Sequence, residues 1–110
     1  MGANSFLQIW PLKDGSIDAT FRYAQERMRY NYGHAGYTGT IAEKDSYLFI
    51  ARCADEKEAL ALANKMMDED DARISDKWGP AGAVSYSRPS INFPDSPPTE
   101  CVIFFGWASS

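Results

Sequence analysis

The chain predicts an α+β fold in one domain spanning residues 1–110, and three observations lead there. Two segments, Ile17–Tyr32 and Asp55–Asp68, carry apolar residues at the helical period. Five shorter runs read as strands, four of them rich in β-branched and aromatic residues and one of small residues. Their order is β-α-β-β-α-β-β. With right-handed crossovers, the simplest arrangement is a ferredoxin-like two-layer sandwich. It would hold one antiparallel sheet with two helices on one face and an extra C-terminal strand.

Each element has its own signal. Ser5–Leu12 alternates loosely as a first strand, and Pro11, which lacks an amide hydrogen, ends it or faces an unpaired side. Lys13-Asp14-Gly15-Ser16 is a turn, with Gly15 free to take positive φ and Ser16 or Asp18 placed to cap a helix. In Ile17–Tyr32 the stripe is Ile17, Phe21, Ala24 and Met28, and Gly33 is a natural left-handed stop. Tyr37–Ala42 and Ser46–Arg52 read as a hairpin around Glu43-Lys44-Asp45. Asp55 with Glu58 makes a capping-box pattern for the second helix, whose stripe is Ala59, Leu62, Ala63, Met66 and Met67. Ala81–Ser87 is a strand of small residues. Arg88–Glu100, with four prolines, reads as a surface loop. Cys101–Trp107 closes the sheet as a strand apolar on both faces. In a two-layer sandwich that second face needs a cover, either the proline-rich loop or another chain, and a homodimer through the open sheet is the second of these alternatives.

Composition narrows the function classes. A hydrophobic share of 45% is that of a globular chain, and 110 residues are enough to bury a core without staples. No apolar run approaches a membrane span, and the N-terminus lacks a signal-peptide pattern, so a cytoplasmic protein is expected. Cys53 and Cys101 lack the spacing of a zinc site and are expected as buried, reduced thiols. No cofactor or metal site is expected. The net charge of −4 opposes broad binding to a phosphate backbone.

The segment Tyr30–Lys44 (YNYGHAGYTGTIAEK) gathers three tyrosines, three glycines and the single histidine. Tyrosines supply contact area at low entropy cost, and glycines let a partner approach the backbone, so Tyr30, Tyr32, His34 and Tyr37 are candidate protein-binding residues. A helix stop and hairpin entrance, with the tyrosines packed over the helix end, is the plainer account of the same residues. The acidic run Asp68-Glu69-Asp70-Asp71 is a second candidate, able to meet a basic partner groove. A solvated helix end is the plainer account of it. Catalysis has little to build on, because no nucleophile motif or paired metal motif accompanies His34. A small enzyme or ligand-binding protein remains a third alternative, since a pocket is not visible in sequence.

Asp45–Arg52 (DSYLFIAR) faintly resembles the RNP1 motif of RNA-recognition motifs, with Tyr47 and Phe49 where stacking aromatics belong. Asp45 stands for a basic residue, Ser46 for glycine, Leu48 for a small residue and Arg52 for an aromatic. An RNA or single-stranded DNA binder is therefore the alternative function. The phrases YGHAGYTGTIAEK and DKWGPAGAV resemble segments of small, mostly uncharacterised proteins encoded by bacteriophages. That resemblance implies a compact accessory factor acting by binding, for example by inhibiting a host or defence protein.

Overall fold

Four strands and two helices are ordered β1 (Ala3–Pro11), α1 (Ile17–Tyr32), β2 (Tyr47–Arg52), α2 (Glu56–Asp68), β3 (Ala81–Arg88) and β4 (Thr99–Ser109). The structure, a computed structural model, describes residues 3–32, 41, 44–75, 79–88 and 99–109, without the side chains of 3, 4, 31, 32 and 109. The α+β class with two helices on one sheet is as expected. The first arm of the expected hairpin, Tyr37–Ala42, lies outside the described residues except for Ile41, which is fully buried. The proline-rich segment between β3 and β4 lies outside them too. Both flanking strands run further into it than expected, to Arg88 and from Thr99.

The sheet is mixed, not purely antiparallel, in the order β1-β4-β3-β2. β4 pairs antiparallel with β1, from Ala3↔Ser109 to Pro11↔Cys101, and with β3. β2 pairs parallel with β3, with a register shift between Phe49 and Ala51. Pro11 is tolerated because β1 is an edge strand, where a missing amide hydrogen breaks no central ladder.

The helices lie on opposite faces of this sheet, which corrects the expectation of one face. On β4, Cys101, Ile103 and Phe105 join Ala59, Ala63 and Met66 of α2 in one buried cluster. Val102, Phe104 and Ala108 join Phe21 and Ala24 of α1 in the other. Alternation along a strand sends neighbouring side chains to opposite faces, so the two clusters are two layers. Crossover handedness gives the reason. β1, β2 and β3 are mutually parallel; the β1-to-β2 connection crosses the sheet one way and the β2-to-β3 connection returns. Two right-handed crossovers in opposite senses must use opposite faces. The second apolar face of β4 is thus covered by a helix of the same chain, and the reason for expecting a homodimer through an open sheet falls away.

Local signals place the helices well. Ser16 caps α1, its Oγ accepting from Ala19 N–H at 3.2 Å. Gly15 takes φ 68° in the preceding turn. Fully buried Thr20 locks the turn by accepting from Lys13 N–H at 2.8 Å and donating to the Ser16 carbonyl at 2.7 Å. Asp55 caps α2 through Glu58 N–H at 2.8 Å, while the Glu58 carboxylate reaches back to Ala54 N–H at 3.1 Å. The small residues of β3 suit a strand pressed from both sides. At Gly82 a Cβ would lie 2.5 Å from Cζ of Phe105.

Candidate functional site

The site begins with the way α1 meets β2. Phe21 points inward from α1 at the helical period, and its ring packs against Tyr47 of β2 and Phe104 of β4, with centroids 5.1 and 5.4 Å away. One turn earlier on the same helix, Asp18 accepts a hydrogen bond from the Tyr47 hydroxyl. Burial, followed by the bond to Asp18 and its charge, pushes the Tyr47 phenol up to about 12. One turn later, the Gln25 amide donates to the carbonyl oxygens of Ile41 and Lys44, which ties the chain entering β2 to the helix. The Lys44 side chain is buried and donates to the Gly79 carbonyl at 3.0 Å.

These contacts leave an open cleft of about 480 Å³ between α1 and the start of β2. Phe21, Tyr47 and Phe49 supply its aromatic surface, and Asp18, Arg22, Gln25, Asp45 and Ser46 its polar rim. The large hydrophobic side chains exposed among the described residues are Tyr23, Tyr30, Leu48 and Phe49, all on α1 and β2. Leu48 and Phe49 are neighbours on a strand, so they lie on opposite faces of the sheet's edge.

Each sequence candidate has a definite place in this frame or lies outside it. Tyr30, near the end of α1, is 84% exposed. Tyr32 ends the same helix, with its side chain outside the described residues, and His34 and Tyr37 lie outside them altogether. Asp68, Glu69 and Asp70 are exposed at the end of α2, with Glu69 as the cap residue and Asp70 at φ 50°. Asp71 differs from them. Arg73 grips its carboxylate at 2.9 Å and, with a backbone bond, holds it down at about 2. Because α1 and α2 pack on opposite faces, Tyr30 and the acidic run belong to elements on different sides of the sheet. Tyr47 and Phe49 do line one cleft, but the Tyr47 ring is half-buried against the core and its hydroxyl is taken.

A second polar cluster closes the C-terminal ends of the parallel strands, where open α/β sheets commonly bind ligands. Arg52 makes a two-pronged contact with Glu100 at 2.6 and 2.8 Å, and Ser87 Oγ donates to the same carboxylate at 2.7 Å. Those bonds hold Glu100 down at about 2. Glu56 accepts from the Tyr86 hydroxyl at 3.0 Å and pairs with Arg88 at 3.3 Å. The charges here are satisfied by one another. Cys53 and Cys101 are free and buried in the hydrophobic cluster on the α2 face, and burial raises the Cys53 thiol. Among the described residues no three His, Cys, Asp or Glu side chains converge as a metal site. No described helix is long and apolar enough to cross a membrane.

Sequence reasoning missed the cleft's helical wall. Asp18, Arg22 and Gln25 stand at i, i+4 and i+7, beside Phe21, and that spacing was visible. Nothing local said that β2 would lie opposite. Protein-family models, curated proteins and solved structures each yield no match to this chain.

Proposed function

We propose that the protein is a small phage-type accessory factor that binds a protein partner in the cytoplasm of the host cell and inhibits it. The observation that supports this reading is the open cleft between α1 and β2, whose polar rim flanks the 47% exposed Phe49 ring. Exposed aromatic area flanked by polar groups is how protein interfaces are built. Tyr30, 84% exposed near the end of α1, and Asp68–Asp70, at the end of α2, offer separate surfaces. The test is a pull-down from bacterial lysate with the tagged full chain, with and without nuclease. Wild type is run beside Phe49→Asp, Tyr30→Ala and an Asp68→Asn/Asp70→Asn double variant. One stoichiometric protein that survives nuclease and is lost with Phe49→Asp is the expected result. An identical set retained by every variant would end the proposal.

Single-stranded nucleic acid is the second reading, favoured by the shared placement of Tyr47 and Phe49 on one cleft. Asp18 and Asp45 beside them repel phosphate, and Phe49 is the ring left for stacking. Phe49→Ala would then weaken RNA binding roughly tenfold, as loss of one stacked base does.

A further inference from the structure

We propose that the cleft between α1 and β2 receives a lysine or arginine side chain of the partner protein. The inference rests on the binding reading above and names the chemistry that reading leaves open. Its two carboxylates come from different elements, Asp18 from α1 and Asp45 from the segment entering β2. Asp18 is held in place by the Tyr47 hydroxyl. Asp45 is exposed and has no hydrogen bond or ion pair among the described residues. The half-buried Tyr47 ring and the Phe49 ring, which is 47% exposed, line the same cleft.

A basic side chain matches both parts. Its aliphatic stem covers aromatic surface while its cationic head meets ring faces and carboxylates. An apolar or acidic group seated over Phe49 would instead strip water from Asp45 without replacing it, a costly desolvation. Arg22 lines the same cleft and partly offsets the acids, leaving two negative charges against one positive among the lining residues. The net charge of −4 acts in the same direction at long range.

The probes are Nα-acetyl-arginine amide, its glutamate and norleucine counterparts, and the isotope-labelled full chain followed by amide chemical shifts. The arginine probe is expected to give saturable shifts at residues 45–49 and 18–25, and the glutamate probe none. Asp45→Asn should weaken the arginine probe about two- to fivefold, as loss of an exposed ion pair does, and Arg22→Gln should strengthen it by a similar factor. A general loss of structure cannot move the two variants in opposite directions. Norleucine binding as well as arginine, absence of saturable shifts, or a common direction in both variants would overturn the inference. The pull-down separates the two levels. A partner lost with Phe49→Asp but kept at full yield with Asp45→Asn sinks the basic-side-chain inference alone. A partner kept by Asp45→Asn, Phe49→Asp, Tyr30→Ala and the acidic double variant alike sinks the binding reading with it.

Discussion

Replacing Gly82 by alanine should destabilise the protein, although simple reasoning about glycine points the other way. Gly82 sits inside β3 without a positive φ, so alanine fits its backbone. Trimming the unfolded chain's freedom at such a site typically stabilises by about 0.4–1 kcal/mol. The obstacle is Phe105 of β4, paired directly opposite Gly82 and fully buried. A Cβ would stand 2.5, 2.7 and 3.0 Å from three carbons of that ring. Carbon atoms prefer separations of about 3.5–4.0 Å, so the ring must retreat by roughly an ångström. Cys101, Ile103 and the α2 side chains already pack that layer. Overpacking of this kind costs about 1–3 kcal/mol, which exceeds the entropic gain and leaves a net loss of about 1–2 kcal/mol. Urea denaturation followed by far-UV circular dichroism reads it as a lower midpoint with an unchanged slope. Heating reads it as a Tm lower by about 4–8 °C per kcal/mol. In a Phe105→Leu background the same replacement should be neutral or stabilising. A Gly82→Ala protein as stable as wild type would refute the close approach of β3 and β4 at this layer.

Three further outcomes follow from single contacts. Tyr47 has its pKa raised from 10.0 to about 12, so its contribution to stability is whole below pH 10 and is lost as pH rises toward 12. Tyr47→Phe should flatten that alkaline decline in pH-dependent unfolding, leaving the part that Tyr86, also raised to about 12, shares. Thr20→Val removes a buried hydroxyl that both accepts and donates; it should cost about 1–3 kcal/mol and speed hydrogen exchange at the Lys13 amide. Glu100 should titrate near pH 2 by carboxyl carbon NMR, and Arg52→Met should return it toward the ordinary glutamate range near 4.5. Its stabilising effect is present above that ordinary range and fades as pH falls toward 2.

Much of this architecture was legible in the chain because its signals are local. The Ile17, Phe21, Ala24 and Met28 stripe faces the core as the helical period requires, and Asp55 caps Glu58 N–H while the Glu58 carboxylate reaches back one residue further, to Ala54 N–H. Partner choice between strands is a long-range matter. Ser46–Arg52 reads as one arm of a hairpin, yet β2 finds β3 in parallel across the α2 crossover. A cue to the helix placement was present. β4 is apolar on both faces, and a strand buried on both faces needs a layer on each side. That cue points as readily to a second molecule as to a second helix until the strand order is known. The site shows the same limit. Alternating aromatics such as Tyr47 and Phe49 look alike in sequence, and only the position of Phe21 and Asp18 separates the packed ring from the exposed one.

The central place of β4 governs how this molecule can be made. It is the last of the four described strands, yet it lies between β1 and β3 and brings Ala3 beside Ser109. While a ribosome is still extending the chain, β1 therefore has no ladder to join, and the apolar stripe of α1 lacks Val102 and Phe104 to rest on. Assembly waits for β4 and must then join segments about a hundred positions apart, a topology that folds slowly. Until then the nascent polypeptide carries two amphipathic helices and an exposed edge, the kind of surface that chaperones recognise and that aggregation exploits.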